Sequence, residues 1–476
     1  MMVDWLLSRR QFVGRLVAAP WLLGGRFLWA SPSTDRVHGP GARYRARVRA
    51  AFVRRREDYG IRWPGAIYDG QAARREYTQQ LQAAAQELAM DVDLRPEPIY
   101  SETEGSQWVS EAVKAGADGL VVLLLDRQEH SWPVAVRAAE SGLPTVIFAP
   151  IGTAFTTNTE RLANRPGVFI ASTDDFRQVA FGLKMLKAGA WLREMRFVVI
   201  QGKERRDARV PHIGTHLRYV PARVFIEEYE RTPVDEEVRT IASQYVQSAT
   251  DIRGPSEKDI LNGVRSYVVA RRILEREDGD GITMDCLGAL GPTQISLPCI
   301  AWSYMLDRGI PAACEADIGA ALTHALVQKL FDRPGFQQDP VPETARQCLI
   351  GAHCTCPTRL RGWNEPPEPY YLSHHHGRRD AVPVPQWSTG QRVTIADLIL
   401  GDRPEVPPRL LVSSGTVVGN VAVPPAGGCV VSVMVELDGH PSLLDYPGFH
   451  QIFFYGDFRR ELVAFARLFR IEPVTI

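Results

Sequence analysis

The sequence predicts an α/β protein: two Rossmann-like parallel-sheet domains followed by a mostly β C-terminal domain. Three observations carry this expectation. In the first two-thirds of the chain, continuous apolar runs end at carboxylates or turn residues, as strands buried on both faces do. Long stretches of good helix formers separate those runs. Beyond Pro357 the prolines cluster and short β-rich runs replace the helical pattern. At 476 residues the chain exceeds one core, since a domain runs to roughly 100–200 residues, so three domains are expected, at 41–175, 176–356 and 357–476, after a leader at 1–40.

In the first domain the run Arg43 to Arg56 is basic and reads as a solvated leader and first helix. Residues 73–88 combine strong helix formers with apolar side chains on one side. Gly119 to Asp126 and Pro144 to Ala149 read as buried strands, with a helix around Val134 to Glu140 between them. Strand, helix, strand in this order implies right-handed crossovers and a parallel sheet. The second domain repeats the grammar, with strands at Phe197–Gln201 and Gly281–Asp285 and a long helix from Glu257 to Glu277. A short apolar stretch, Ile310 to Cys314, precedes Glu315 and Asp317, and a helix from Ile318 to Phe331 follows. Two carboxylates then stand at the C-terminal end of a strand, where open α/β sheets collect ligands, and His353 after Cys348–Ala352 reads the same way. In the third domain, β-rich runs at Arg409–Val423 and Cys429–Leu437 are closed by a helix from Phe458 to Phe469.

Lys+Arg and Asp+Glu both number 55, which removes any global electrostatic reason to expect nucleic acid or an anionic membrane as partner. The seven cysteines all lie between Cys286 and Cys429, an odd and crowded set that argues against a disulfide framework. Ser8-Arg9-Arg10-Gln11-Phe12-Val13 matches the twin-arginine export pattern. The apolar stretch that follows, Leu16 to Trp29, is broken by Gly24, Gly25 and Arg26. It is shorter than the ~20 residues a membrane span needs and suits a signal peptide cleaved after Ala30, which implies export to the periplasm.

Glu315, Asp317, His353 and His450 are the residues whose chemistry stands out. Each has a plainer alternative: Asp317 before Ile318-Gly319-Ala320 can cap the helix by accepting its free N–H groups, and either histidine can be a satisfied core residue. Cys354-Thr355-Cys356 lacks the paired spacing of a zinc ribbon, and His374-His375-His376 reads as an exposed loop able to line a cleft. Neither a P-loop, nor a dinucleotide fingerprint, nor a nucleophile elbow is present, so nucleotide hydrolysis, hydride transfer and serine hydrolysis have no support.

Three passages resemble the fucose isomerase-like family, relatives of L-fucose and L-arabinose isomerases. These are Ala313-Cys-Glu-Ala-Asp317-Ile-Gly-Ala-Ala-Leu-Thr323, Leu349-Ile-Gly-Ala-His353-Cys354 and Gly448-Phe-His450-Gln-Ile-Phe-Phe-Tyr-Gly-Asp457. Gly390 to Ile395 also suits that family's β-domain. The resemblance implies the family's three-domain architecture, a homo-oligomer, a sugar as small-molecule substrate and a divalent metal, Mn²⁺ first and Mg²⁺ or Co²⁺ next. It implies Asp317, Glu315, His353 and His450 as ligands, Asp317 and Glu315 in the acid/base chemistry, and His353 and His375 at the substrate. The implied reaction is aldose–ketose isomerisation through an enediol. The alternatives are epimerisation or dehydration of a sugar, or carbohydrate binding alone. The acid that the family carries some two dozen residues before the acidic segment is missing between Gly288 and Pro298, with Asp285 the nearest carboxylate.

Overall fold

The computed structural model describes residues 39–57, 61–62, 66–67, 69–375, 379–422 and 429–476. The twin-arginine segment around Arg9 and Arg10, and His376, lie outside the described residues. The chain is a mixed α/β protein with two parallel-sheet units and a closed antiparallel β-barrel at its C-terminal end.

The first sheet has the order β2-β1-β3-β4-β5, all parallel: β1 (Arg47–Val53), β2 (Asp91–Leu94), β3 (Gly119–Leu124), β4 (Thr145–Phe148) and β5 (Val168–Ala171). Every residue of β3 is buried, as its unbroken apolar run requires of a central strand. The basic run expected as leader and helix is instead strand β1. Its arginines obscure a period of two: Ala46, Val48 and Ala50 are buried between Arg45, Arg47 and Arg49, and Ala51, Phe52 and Val53 complete the core strand. Helix α1 (Gly70–Glu87), expected at 73–88, begins at Asp69, whose carboxylate accepts from the N–H groups of Gln71 and Ala72.

The second sheet has the order β9-β8-β6-β7 of parallel strands, where β6 is Arg196–Ile200, β7 His216–Val220, β8 Gly281–Met284 and β9 Ala312–Cys314. A short antiparallel strand, Arg206–Arg209, adds to the β7 edge. Helix α2 (Glu257–Arg276) covers this sheet behind a capping box of Ser256 and Asp259. Helix α3 (Ile318–Phe331) follows β9, with Asp317 as its N-cap.

The barrel strands are β10 (Phe336–Glu343), β11 (Cys348–His353), β12 (Arg392–Ile399), β13 (Arg409–Asn420), β14 (Val431–Leu437) and β15 (Gln451–Tyr455). They run β12-β15-β10-β11-β14-β13 and back to β12. Closure pairs each barrel strand on both sides over part of its length, and a short parallel strand, Glu472–Thr475, adds to the outside of Arg409–Val412. The barrel's first two strands lie before residue 357, the expected boundary, so the mostly β unit starts earlier than the composition suggests. Pro340 and Pro342 hide β10. They are tolerated because beyond Gln338 the strand pairs on one side only, with β11, and a proline's missing N–H is harmless at such an edge. His353 is accordingly the last residue of a barrel strand, where an open-sheet position was expected. The closing helix, Arg459–Leu468, lies where expected.

Helix α3 docks the second sheet onto the barrel. A Cβ at Gly319 would come within 2.8 Å of the Leu398 carbonyl oxygen, so only glycine allows this approach. Four residues on, Thr323 Oγ1 accepts from the Leu398 N–H at 2.9 Å. No helix among the described residues is long and apolar enough to cross a membrane.

Candidate metal centre

Four chain segments meet where the C-terminal end of β9 faces the barrel rim. From β9 the backbone turns through Glu315 and Ala316, both in the left-handed region (φ 62° and 55°), before entering α3. His450, just before β15, is also left-handed (φ 52°). Non-glycine residues held this way cost on the order of 1–3 kcal/mol each and cluster where side-chain placement matters. Ahead of His450, Gly448 (φ 89°) makes the tight turn, and a Cβ there would collide with Asp397 and Gln451 at 2.8 Å.

Glu315, His353 and His450 each direct one donor atom into a common space, all within 4.8 Å of one another. The Glu315 carboxylate lies 3.8 Å from His353 Nε2 and 3.5 Å from His450 Nε2. Asp339, from the middle of β10, places Oδ1 3.3 Å from the same His450 nitrogen. His450 Nε2 and Asp339 Oδ1 are both buried and have no hydrogen-bond partner. Such spacings are long for hydrogen bonds. They match the edges of a coordination polyhedron: ligand bonds of ~2.0–2.2 Å put adjacent donors ~3 Å apart in an octahedron and ~3.5 Å apart in a tetrahedron.

Asp317, expected as a ligand, lies outside this cluster because both its oxygens are engaged. Oδ1 accepts from the Ala320 N–H at 2.8 Å, capping α3, and Oδ2 lies 2.9 Å from His450 Nδ1. The cap and the function coexist: by accepting from Nδ1–H, the carboxylate sets the tautomer that leaves Nε2 facing the other donors. His375, expected at the substrate, is 3% exposed at the end of strand Tyr370–His375, near enough to His353 to act on its charge. Asp285 stays local, capping the short helix Cys286–Leu290 through the Gly288 N–H. Asp339 is the residue that sequence reading missed. Its strand is masked by prolines, and nothing near it in sequence carries chemistry.

The electrostatics favour a cation. Burial disfavours a charged His450, but Asp317, Asp339 and Glu315 outweigh it and raise its pKa above the usual imidazole value. The field that draws a proton to this point draws a metal ion equally. Burial, then the neighbouring His450, His375 and His324, pushes His353 down to about 3, which keeps it a neutral imidazole, the form that ligates. Burial pushes Asp317 up, yet the His450 hydrogen bond and the α3 amides hold it below the usual carboxylate range. Behind Asp317, burial and then the Asp317 charge raise Asp397 to about 7. All seven cysteines are unpaired and none joins the cluster. Oxygen and imidazole donors without thiolate fit a hard or borderline divalent ion.

No protein-family model matches this chain, and no curated protein shows significant sequence similarity to it.

Proposed function

We propose that the chain is a metal-dependent enzyme acting on a small polyhydroxylated substrate. The observation that carries this reading is the meeting of Glu315, His353 and His450 from three distant segments, with His450 Nε2 buried among them and without a hydrogen-bond partner. Within that class the reaction it supports best is aldose–ketose isomerisation, with Mn²⁺ as the ion. The three segments that resemble the fucose isomerase-like family are the ones that converge, and the sheet-sheet-barrel order suits that architecture.

A divalent ion bound here would polarise the neighbouring carbonyl and hydroxyl oxygens of an open-chain sugar. The chain's own groups divide the remaining work. His353 and His450 offer fixed nitrogen lone pairs, the second oriented by Asp317. Glu315, whose side chain is 38% exposed, is the member of the cluster most open to a substrate. A carboxylate has more lone pairs than one contact uses, so Glu315 can take the proton from the carbon next to the carbonyl and return it to the neighbouring one.

Exchange of the substrate's C2 hydrogen with deuterated solvent, followed by NMR across a panel of aldoses with Mn²⁺ supplied, tests this. Exchange that is lost in Glu315→Gln is expected; metal and sugar binding without any exchange overturns it. That second outcome defines the other reading, a carbohydrate-binding protein that keeps the site. The absence of any acid from Gly288 to Pro298 favours it. Twin-arginine export and homo-oligomer assembly belong to the proposal as well. Retention of an Arg9→Lys/Arg10→Lys variant in the cytoplasm would support the first.

A further inference from the structure

We propose that Cys354 and Cys429 are a redox pair: they close reversibly into a disulfide by exchange with a small-molecule or protein disulfide, and the bridge staples the end of β11 to the start of β14. The pairing does not rest on the metal-site reading.

Strand register brings the two cysteines together. β11 and β14 are antiparallel, and His353 opposite Val431 is the last pair of their ladder. Cys354 is the next residue out of β11 and Cys429 lies two residues ahead of Val431, so both chains leave the ladder at the same rim of the barrel. Residue 354 is a bend and 429 is irregular, which frees both side chains from the alternation of a strand. The two thiols lie within hydrogen-bonding reach, with Cys354 as donor. Ser432 donates from Oγ to the Cys429 carbonyl at 3.1 Å, tying Cys429 back to β14. A disulfide needs its Cα atoms roughly 4.4–6.8 Å apart, a separation that chains leaving one ladder offer. Because Cys354 directly follows His353, the bridge would fix the end of the strand that carries this histidine.

The two thiols differ as an attacking and a resolving thiol must. Cys429 is the one cysteine of the seven that is not buried, whereas Cys354 is 6% exposed. The bond from Cys354 holds Cys429 below the usual thiol range; every other cysteine is raised, Cys354 by that same bond and the rest chiefly by burial. Accessible thiolates react and buried thiols are inert. Three of the buried thiols are engaged elsewhere: Cys314 Sγ with Thr355 Oγ1 at 3.4 Å, Cys348 Sγ with the Arg346 carbonyl at 3.2 Å and Cys356 Sγ with the Pro357 carbonyl at 3.4 Å. In the exchange, the Cys429 sulfur attacks one sulfur of R–S–S–R, whose S–S bond breaks, and the departing RS⁻ takes the proton that Cys429 gave up. Cys354 then attacks the Cys429 sulfur of the mixed disulfide, and the second RSH leaves. The two thiols lose two electrons and two protons, and the oxidant is reduced to two RSH.

Oxidised glutathione serves as the probe. The folded full-length protein is incubated with it, remaining thiols are blocked with N-ethylmaleimide, and the unreduced digest is mapped by mass spectrometry. Loss of two of the seven free thiols is expected, recovered as a Cys354–Cys429 peptide that dithiothreitol reverses. The thermal midpoint is expected to rise on oxidation, because the bridge closes a long loop. Cys354→Ser should accumulate one glutathione on Cys429, having lost the thiol that resolves it, and Cys429→Ser should take up none. The parent reports the pairing without any substitution, so a variant that fails to fold does not obscure the result. Seven free thiols in the oxidant-treated parent, a bridge mapped to any other pair, or glutathione held on another cysteine in Cys354→Ser would overturn the redox pair. A thermal midpoint unchanged by a correctly mapped bridge would overturn the staple.

Discussion

The ends of the two parallel sheets hold carboxylates in opposite states. At the first sheet, Asp126 is 1% exposed and fully engaged: it accepts from Arg55 Nε at 2.6 Å and Nη2 at 3.2 Å, and from the N–H groups of Arg55 and Arg127. At the second, Glu315 and Asp339 face two histidines without a single mutual hydrogen bond, and buried Asp339 Oδ1 has none at all. Both sites follow a strand of the same kind, so strand geometry does not distinguish them. The difference is satisfaction: polar groups that complete one another are structure, and polar groups that converge unsatisfied are awaiting a ligand.

That contrast can be broken at either end. The largest effect is expected at the barrel: with Mn²⁺ supplied, the parent should hold near-stoichiometric metal and Asp317→Ala/His450→Ala, at matched folding, should lose it. Metal analysis of the purified proteins decides it, and equal metal in both would erase the distinction drawn here. Next, Asp126→Ala should leave metal content unchanged but lower the unfolding free energy by about 3 kcal/mol, because it strands the Arg55 guanidinium in a part-buried site. Urea denaturation measures this, and a loss of metal in that variant would show the two ends to be coupled.

The smallest effect concerns His324 on α3, fully buried with neither ring nitrogen partnered. Burial pushes its pKa down to about 3 from the usual imidazole value of 6.5. Between those values the unfolded chain binds a proton that the folded one refuses, so this residue's contribution to stability falls as pH drops from 6.5 toward 3, by roughly 1 kcal/mol per pH unit. His324→Leu should flatten the acid limb of the stability curve by that slope. Asp397, raised to about 7, works in the opposite sense over the upper part of the range, since its folded form gains a proton first. The parent-to-variant difference isolates His324, and parallel curves would show that it is not the acid-labile group.

Periodicity made the interior helices and central strands legible. Helix α2 and strand β3 fall within a residue or two of expectation because their apolar patterns are long and uninterrupted. Strand β1 was hidden because arginine on its outward positions reads as a charge run, and β10 because proline normally argues against a strand. At the site, Glu315, His353 and His450 could be singled out from the passages around them. Asp317 was ambiguous between cap and ligand; it is the cap, and its second oxygen is hydrogen-bonded to His450. Asp339 was invisible because what brings it to His450 is the pairing of its neighbour Gln338 with Gln451, a register across more than a hundred residues that no local pattern records.

The seam between α3 and the barrel has one more implication. The donors belong to two bodies, one ending at β9 and the other closing on itself from β10 to β15, and Gly319 sets how closely they meet. An ion held by both acts as a rivet, and its binding energy counts toward docking rather than toward either body alone. Metal release would then be the earliest sign of the bodies parting, ahead of any loss of helix or strand.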